Sequence, residues 1–288
     1  MLFWSGNWVV GRGIRADVPP IALSFWRWSV AFVCLLPLAL RPLGAQWREV
    51  LRHWRLLSLL GILGGACHNA MTYIGLSLTT ATNGILLASA TPIMIIALSW
   101  ALLGKRLAAL EWLGVVISLL GVLTIVARGE WSALLQLQPN RGDLWVLVAM
   151  LSWSLYTVLL ARRPAALHPY AFLAAICLSG LLALAPFYAW EMYSGAVMRS
   201  SPAAYAAIAY AGIFPALLGF IFWNRAVADV GSNSAGLFMN LMPALGTLLA
   251  IVFLGEQPHL YHLGGIAFIL AGVTLTTQQQ RRASLRQR

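Results

Sequence analysis

The sequence predicts an all-α integral membrane protein in which ten transmembrane helices form two inverted five-helix repeats around a central cavity. Composition gives the first reason. The 288-residue chain is 60% hydrophobic and 9% charged, with a mean hydropathy of +0.80, and such a chain cannot wrap a polar surface around a buried core. The second is that apolar runs recur almost from end to end. A spanning helix needs about 20 apolar residues, and in lipid the backbone must satisfy its own hydrogen bonds, so the runs read as helices. The third is that the chain is written twice. NGILLASATPIMIIALSWALLGKR (Asn83 to Arg106) is echoed by SAGLFMNLMPALGTLLAIVFLGEQ (Ser234 to Gln257), with Pro243 for Pro92 and Gly255 for Gly104, each 151 positions later.

In order, the expected spans are Met1–Gly11, Pro19–Leu40, Arg55–Ser77, Thr82–Leu103, Leu110–Ala127, Asp143–Ala161, His168–Trp190, Ala203–Asn224, Ser232–Leu254 and Leu260–Thr276. The first is short, covering roughly 16 Å at the helical rise, about half of a hydrocarbon core. No basic n-region or small-residue cleavage site makes it a signal peptide. Trp4 with Trp153, Pro20 with Pro169 and Pro37 with Pro186 share a spacing of 149. Many more residues precede Trp153 in its helix than precede Trp4, so the start of the first helix is expected upstream of Met1.

The repeat divides the chain into residues 1–128, residues 143–277 and a basic tail, 278–288. Each unit holds an odd number of spans, so the second enters the membrane from the opposite face. That arrangement places a pseudo-twofold axis in the membrane plane and a substrate site at midplane between the halves. Gly61 with Gly212, Gly114 with Gly265 and Gly121 with Gly272 add matches at 151.

Thirteen Lys and Arg residues, among them Arg41, Arg55, Lys105, Arg162 and Arg225, fall on one side of this plan and five on the other. The positive-inside rule makes both termini cytoplasmic in a cell (inner) membrane. The formal charge of +11 lies in the breaks between apolar runs and in the tail, which speaks against nucleic-acid binding. Cys34, Cys67 and Cys177 stand singly, without a CxxC or a nearby His cluster, and read as inert thiols. No motif asks for a cofactor or a metal. Ten helices suffice for a monomer in the lipid bilayer.

The motifs carry a resemblance. They are the Trp-small-x-aromatic helix starts (Trp4, Ser5, Gly6, Asn7, Trp8 and Trp153, Ser154, Leu155, Tyr156), Arg27 in FWRW, the Pro-interrupted fourth helix, the LGKR and LGEQ ends, and the paired glycines of the last helices. Together they resemble the EamA family of the drug/metabolite transporter superfamily, over the whole chain as two tandem units. Within it the chain is most similar to the YddG-type aromatic amino-acid exporters. The resemblance implies a small-molecule exporter, most members moving amino acids and other metabolites. Two departures stand out: Lys105 replaces the Glu of the family's LGE element, and the opening helix is clipped.

Polar groups inside spans are costly and are the first places to seek function. The third span offers His68, Asn69, Thr72 and Tyr73, with 68 over 72 and 69 over 73 at i,i+4. Its repeat counterpart carries Phe220 and Trp223, so the halves present different walls to one space. His68 reads either as a donor or acceptor toward an amino or carboxylate group, or as a hydrogen bond to a neighbouring helix. Asn69 and Asn240 pose the same choice. Trp153 and Tyr156, mid-span, suit the lining of an amphiphile's pocket, and Asn7 joins them through its motif. Trp47, Trp54, Trp112, Trp131 and Trp190 read as interfacial anchors. Arg27, near the outer end of its helix, reads as a structural or gating contact rather than a substrate ligand. Pro92 and Pro243 each remove a helical hydrogen bond near midplane and read as hinges for alternating access.

No Asp or Glu occupies the middle of a span. A buried carboxylate is therefore missing as proton carrier, which leaves His68 or facilitated diffusion. The leading expectation is a secondary transporter exporting amino acids, aromatic or neutral, or similar metabolites by alternating access. Proton-coupled efflux of multidrug or cationic compounds and a lipid flippase component are the alternatives. An intramembrane hydrolase using His68 and Asn69 lacks a partner acid, a GxSxG or a metal-binding His pair.

Overall fold

A computed structural model describes residues 1–79, 84, 87–127, 129, 130, 132, 140–254 and 259–286. The described residues contain helices and no strands. The helices are α1 (Leu2–Gly13), α2 (Pro20–Ala45), a short α3 (Trp47–Arg52), α4 (Trp54–Leu78), α5 (Thr91–Leu103), α6 (Ala109–Val126), α7 (Arg141–Arg162) and α8 (Pro169–Tyr193). There follow α9, assembled from Pro202–Ala211, Gly212–Leu218 and Gly219–Leu237, then α10 (Leu241–Leu254) and α11 (Leu260–Arg286). Helices α2, α4, α6, α7, α8 and the stretch Pro202–Gly246 are long and apolar enough to cross a membrane; α5 and Leu260–Thr276 are shorter apolar helices.

Local chemistry sets the ends. Pro20, Pro169 and Pro202 each sit in the first turn of a helix, where the missing N–H leaves no acceptor short. Asn140 caps α7, its Oδ1 accepting from Gly142 N at 2.8 Å, while Asp143 returns the bond by accepting from Asn140 N. Ser201 accepts from Ala204 N at the start of α9. Gly104, at φ 67°, stops α5 in the left-handed conformation that glycine adopts without strain.

Two expected boundaries move. The eighth span does not end at Asn224: α9 runs on to a break at Gly231, with φ 83° and ψ 164°. Within residues 225–230 the exposed Arg225 Nε donates to Asp229 Oδ2 at 2.7 Å, one helical turn on, a pairing that supports the helix. Likewise α11 continues through the tail as far as Arg286. Gly255 to Gln257 of the LGEQ element, Trp131 and the opening residues of the Thr82–Leu103 span lie outside the described residues.

The prolines expected as mid-helix kinks are placed differently, which is a correction. Pro92 is the second residue of α5, after a turn at Ser89 and Ala90, and Thr91 Oγ1 donates to the Ala88 carbonyl at 2.6 Å. Pro243 is the third residue of α10, just after the 3₁₀ turn Phe238–Asn240. Both prolines therefore follow an irregular turn, and a proline in the first turn breaks no helical bond.

Helix α4 passes through a π-helical segment at Gly61–Cys67, and α9 through another at Gly212–Leu218, 151 positions on at both ends. Each lies against a neighbour too close for a side chain. A Cβ on Gly61 would collide with the Ile176 carbonyl of α8 and stand 2.8 Å from Ser179 Cβ. One on Gly212 would stand 2.6 Å from Val30 Cβ of α2 and 2.9 Å from the Arg27 carbonyl. Replacing 61 by 212, 176 by 27 and 179 by 30 turns the first set of contacts into the second. The crossing of α6 and α11 behaves alike: Gly114 lies on the Gly272 carbonyl and Gly121 on the Gly265 carbonyl, and exchanging 114 with 265 and 121 with 272 maps one pair onto the other.

Candidate functional site

The centre of the molecule is aromatic. Trp4 of α1, Trp153 of α7 and Trp223 of α9 form a triangle of rings with centroids 5.1–5.3 Å apart. Tyr156 and Phe220 join it, each also facing Trp153, and Trp28 of α2 packs edge-on against Phe220 at 4.7 Å. The residues at 153 and 156 share one helical face, as do those at 220 and 223. His68 of α4 completes the ring, 4.9 Å from Trp153. Trp153 and Phe220 are each 2% exposed and Trp223 4%, whereas Trp4 and His68 are half-buried. By contrast Trp47, Trp54, Trp112 and Trp190 are all exposed.

Several polar atoms of the cluster are paired, while Trp28 Nε1, buried, has no acceptor among the described residues. Tyr156 Oη donates to Asn224 Oδ1 at 2.6 Å, and Trp223 Nε1 donates to Thr157 Oγ1. Trp4 Nε1 donates to the Pro215 carbonyl at 2.9 Å, inside the second π segment. Trp153 Nε1 points at Met239 Sδ at 3.2 Å. His68 Nδ1 lies 3.1 Å from the Ala149 carbonyl. A carbonyl only accepts, so Nδ1 carries the proton and Nε2 of the neutral ring is left as an acceptor.

Beside this cluster runs a polar network seeded by Arg27, which is 1% exposed. Its Nη1 donates to Asn69 Oδ1 at 2.7 Å and to Tyr73 Oη at 2.9 Å. Tyr73 Oη donates onward to Asn7 Oδ1 at 3.0 Å. Asn69 Nδ2 donates to the carbonyls of Gly64 and Gly65, acceptors within the π segment, whose altered ladder suits such side-chain bonds. The guanidinium also lies 5.9 Å from the rings of Trp28 and Tyr73. Arg27, expected near the outer rim, is instead wired to three of the residues expected to meet substrate.

The structure thus brings together His68, Trp153, Tyr156, Phe220 and Trp223 in one cluster, and Asn7, Asn69, Tyr73 and Arg27 in the network beside it. Thr72 turns back on its own helix, its Oγ1 donating to the His68 carbonyl at 2.6 Å. Asn240 sits apart, its Nδ2 donating to Ser118 Oγ of α6 at 2.7 Å. Pro92 and Pro243 head helices as described above. Trp4, Trp28, Asn224 and Met239 were not among the sequence candidates. Trp4 was findable, since the spacing of 149 to Trp153 implies a shared position; Met239 carried no signal. Among the described residues, no three His, Cys, Asp or Glu side chains group as a metal site would require.

Helices long and apolar enough to cross a membrane, enclosing an aromatic and polar centre, are the architecture of a multi-pass membrane protein. The EamA-like transporter family model matches residues 1–127 and again residues 140–278, and the chain belongs to that family. It is 27% identical over 291 residues to an uncharacterized transporter of Archaeoglobus fulgidus, covering 97% of this chain and 95% of the relative. It is 29% identical over 263 residues to a probable terminal-alkyne amino-acid exporter of Streptantibioticus cattleyicolor, covering 89% and 84%. A solved crystal structure superposes at a TM-score of 0.73 with 19% identity, covering 98% of this chain and 97% of the other, a likeness of fold alone. Membership of a transporter family argues for a role other than catalysis.

Proposed function

We propose that this protein is a secondary transporter exporting amino acids, aromatic or neutral, or similar small metabolites across the inner membrane by alternating access. The observation that carries the reading is the aromatic cluster of Trp4, Trp153 and Trp223 lying against a charged polar network, where α1, α4, α7 and α9 converge. Flat rings suit an apolar or aromatic side chain and an ammonium group, and the adjoining donors suit a polar head. One similar protein bears the name of a probable amino-acid exporter.

The reading places ten spans in two inverted five-helix units, residues 1–128 and 143–277, in a monomer with both termini cytoplasmic. Two exchanges support the inversion, the paired Gly61 and Gly212 contacts and the paired crossing of α6 and α11, and the π segments recur at the same spacing of 151. Reconstituted vesicles loaded with unlabelled amino acid and given radiolabelled phenylalanine or threonine test the function. Accumulation above that of empty vesicles is expected; its absence for every amino acid in a competition panel that includes cationic drugs would reject it. Uptake that required an imposed pH gradient would replace facilitated diffusion by proton coupling.

A further inference from the structure

We infer that Arg27 reads a carboxylate, so that the transported substrate is an acid-bearing amphiphile whose side chain enters the aromatic cluster. The inference rests on the transporter reading and narrows its substrate class.

A guanidinium is always charged, and a buried charge without a counter-ion is costly. Arg27 is buried in the interior with no carboxylate beside it among the described residues. The ion pairs there join Glu49 to Arg52 and His53, and Asp229 to Arg225, all at exposed or half-exposed helix ends. The two buried acids are engaged elsewhere. Glu191 accepts from the backbone N–H groups of Ile21 and Ala22, and Asp143 from Thr79 and Asn140. Among the described residues Arg27 donates to neutral oxygens, and its buried Nε has no acceptor there. Asn69 and Tyr73 hold the fork by Nη1 alone. A planar fork with an unpartnered Nε fits a carboxylate edge.

Position supplies the rest of the ligand. Trp28, next along the chain, packs on Phe220, and Asn69 is followed back along the helix by His68, which faces Trp153. An acid held at Arg27 therefore has rings within reach for the rest of the molecule. The same charge repels a cation, which disfavours efflux of cationic drugs lacking an acid group.

The test uses the purified full-length protein and four probes: L-phenylalanine, 3-phenylpropanoate, L-phenylalaninamide and 2-phenylethylamine. Ligand-induced thermal shifts give apparent affinities for the wild type, Arg27→Gln and Arg27→Lys. The two carboxylates are expected to bind at least tenfold more tightly than the amide and the amine. That gap should vanish in Arg27→Gln and shrink in Arg27→Lys, which keeps the charge and loses the fork. Because removing an unpaired buried charge relieves its cost, Arg27→Gln is expected to melt no lower than the wild type, whereas a purely structural arginine would lower it. Equal binding of acid and amine by the wild type, no shift with either carboxylate, or a gap surviving in Arg27→Gln would each overturn the inference. Selective binding without vesicle flux would instead sink only the transport reading.

Discussion

Trp4 and Trp153 stand edge to face, with ring centroids 5.1 Å apart and planes at 84°, and they occupy matching places in the two halves of the chain, 149 residues apart. Residues related by a twofold axis touch each other only beside that axis. On the proposed symmetry, this pair marks it. Trp153→Ala is expected to cost about 3–5 kcal/mol, the usual range for emptying a buried aromatic site, and Trp4→Ala, at a half-buried ring, less. The double variant should fall short of the sum, since both remove one contact. Chemical denaturation in detergent measures both values, and additive losses would mean the rings do not depend on each other.

The tyrosine at 156 offers a test of pairing rather than packing. Tyr156→Phe keeps the ring and strands Asn224 Oδ1, which accepts from the tyrosine hydroxyl at 2.6 Å. A loss of about 1–3 kcal/mol is expected. Replacing Asn224 by leucine in the same background should recover part of it, and the melting temperatures of the three variants decide the matter.

Close helix crossings give a sharper, size-dependent prediction. Gly61→Ala and Gly212→Ala push a methyl into Ser179 and Val30 respectively, and each is expected to lower stability by about 1–3 kcal/mol. Gly246→Ala, with nothing within 4 Å of its added carbon, serves as control and should be neutral or stabilising by about 0.5–1 kcal/mol. Equal behaviour of all three would refute the tight packing.

His68 and Asn240 should part company. His68→Ala removes a ring that touches Trp153 and is expected to reduce transport at least tenfold with the fold retained. Asn240→Leu removes a contact to Ser118 on the far side of its helix, where Asn240 Oδ1 has no partner, and should leave transport within twofold of the wild type. Initial rates in vesicles at matched protein content compare them, and the opposite ranking would move Asn240 into the site.

Much of the helical plan was legible because its signals are local. Pro20, Pro169 and Pro202 announce helix starts, Asn140 with Asp143 forms a cap within one turn, and Gly104 ends α5, each needing only its neighbours in sequence. The aromatic cluster was partly legible through the i,i+3 pairs 153/156 and 220/223. The network was not, because Arg27 meets Asn69 and Tyr73 from another helix, 42 and 46 residues away, and no spacing rule specifies which faces of α2 and α4 meet. Pro92 misled for a related reason: proline permits either a kink or a helix start, and the turn at Ser89 and Ala90 that decides between them carries no distinctive residue. The break at Gly231 was hidden because Arg225 and Asp229 read as the charged end of a span, although they pair one helical turn apart.

The duplicated glycine crossings have a consequence for direction of flow. If Gly61 against Ile176 and Gly212 against Arg27 seal opposite faces, the two seals are built from nearly the same parts. Opening one and closing the other then exchanges like for like, and the two end states differ little in free energy. On the proposed reading such a device is a two-way valve, and the direction of flow follows the concentrations on either side of it.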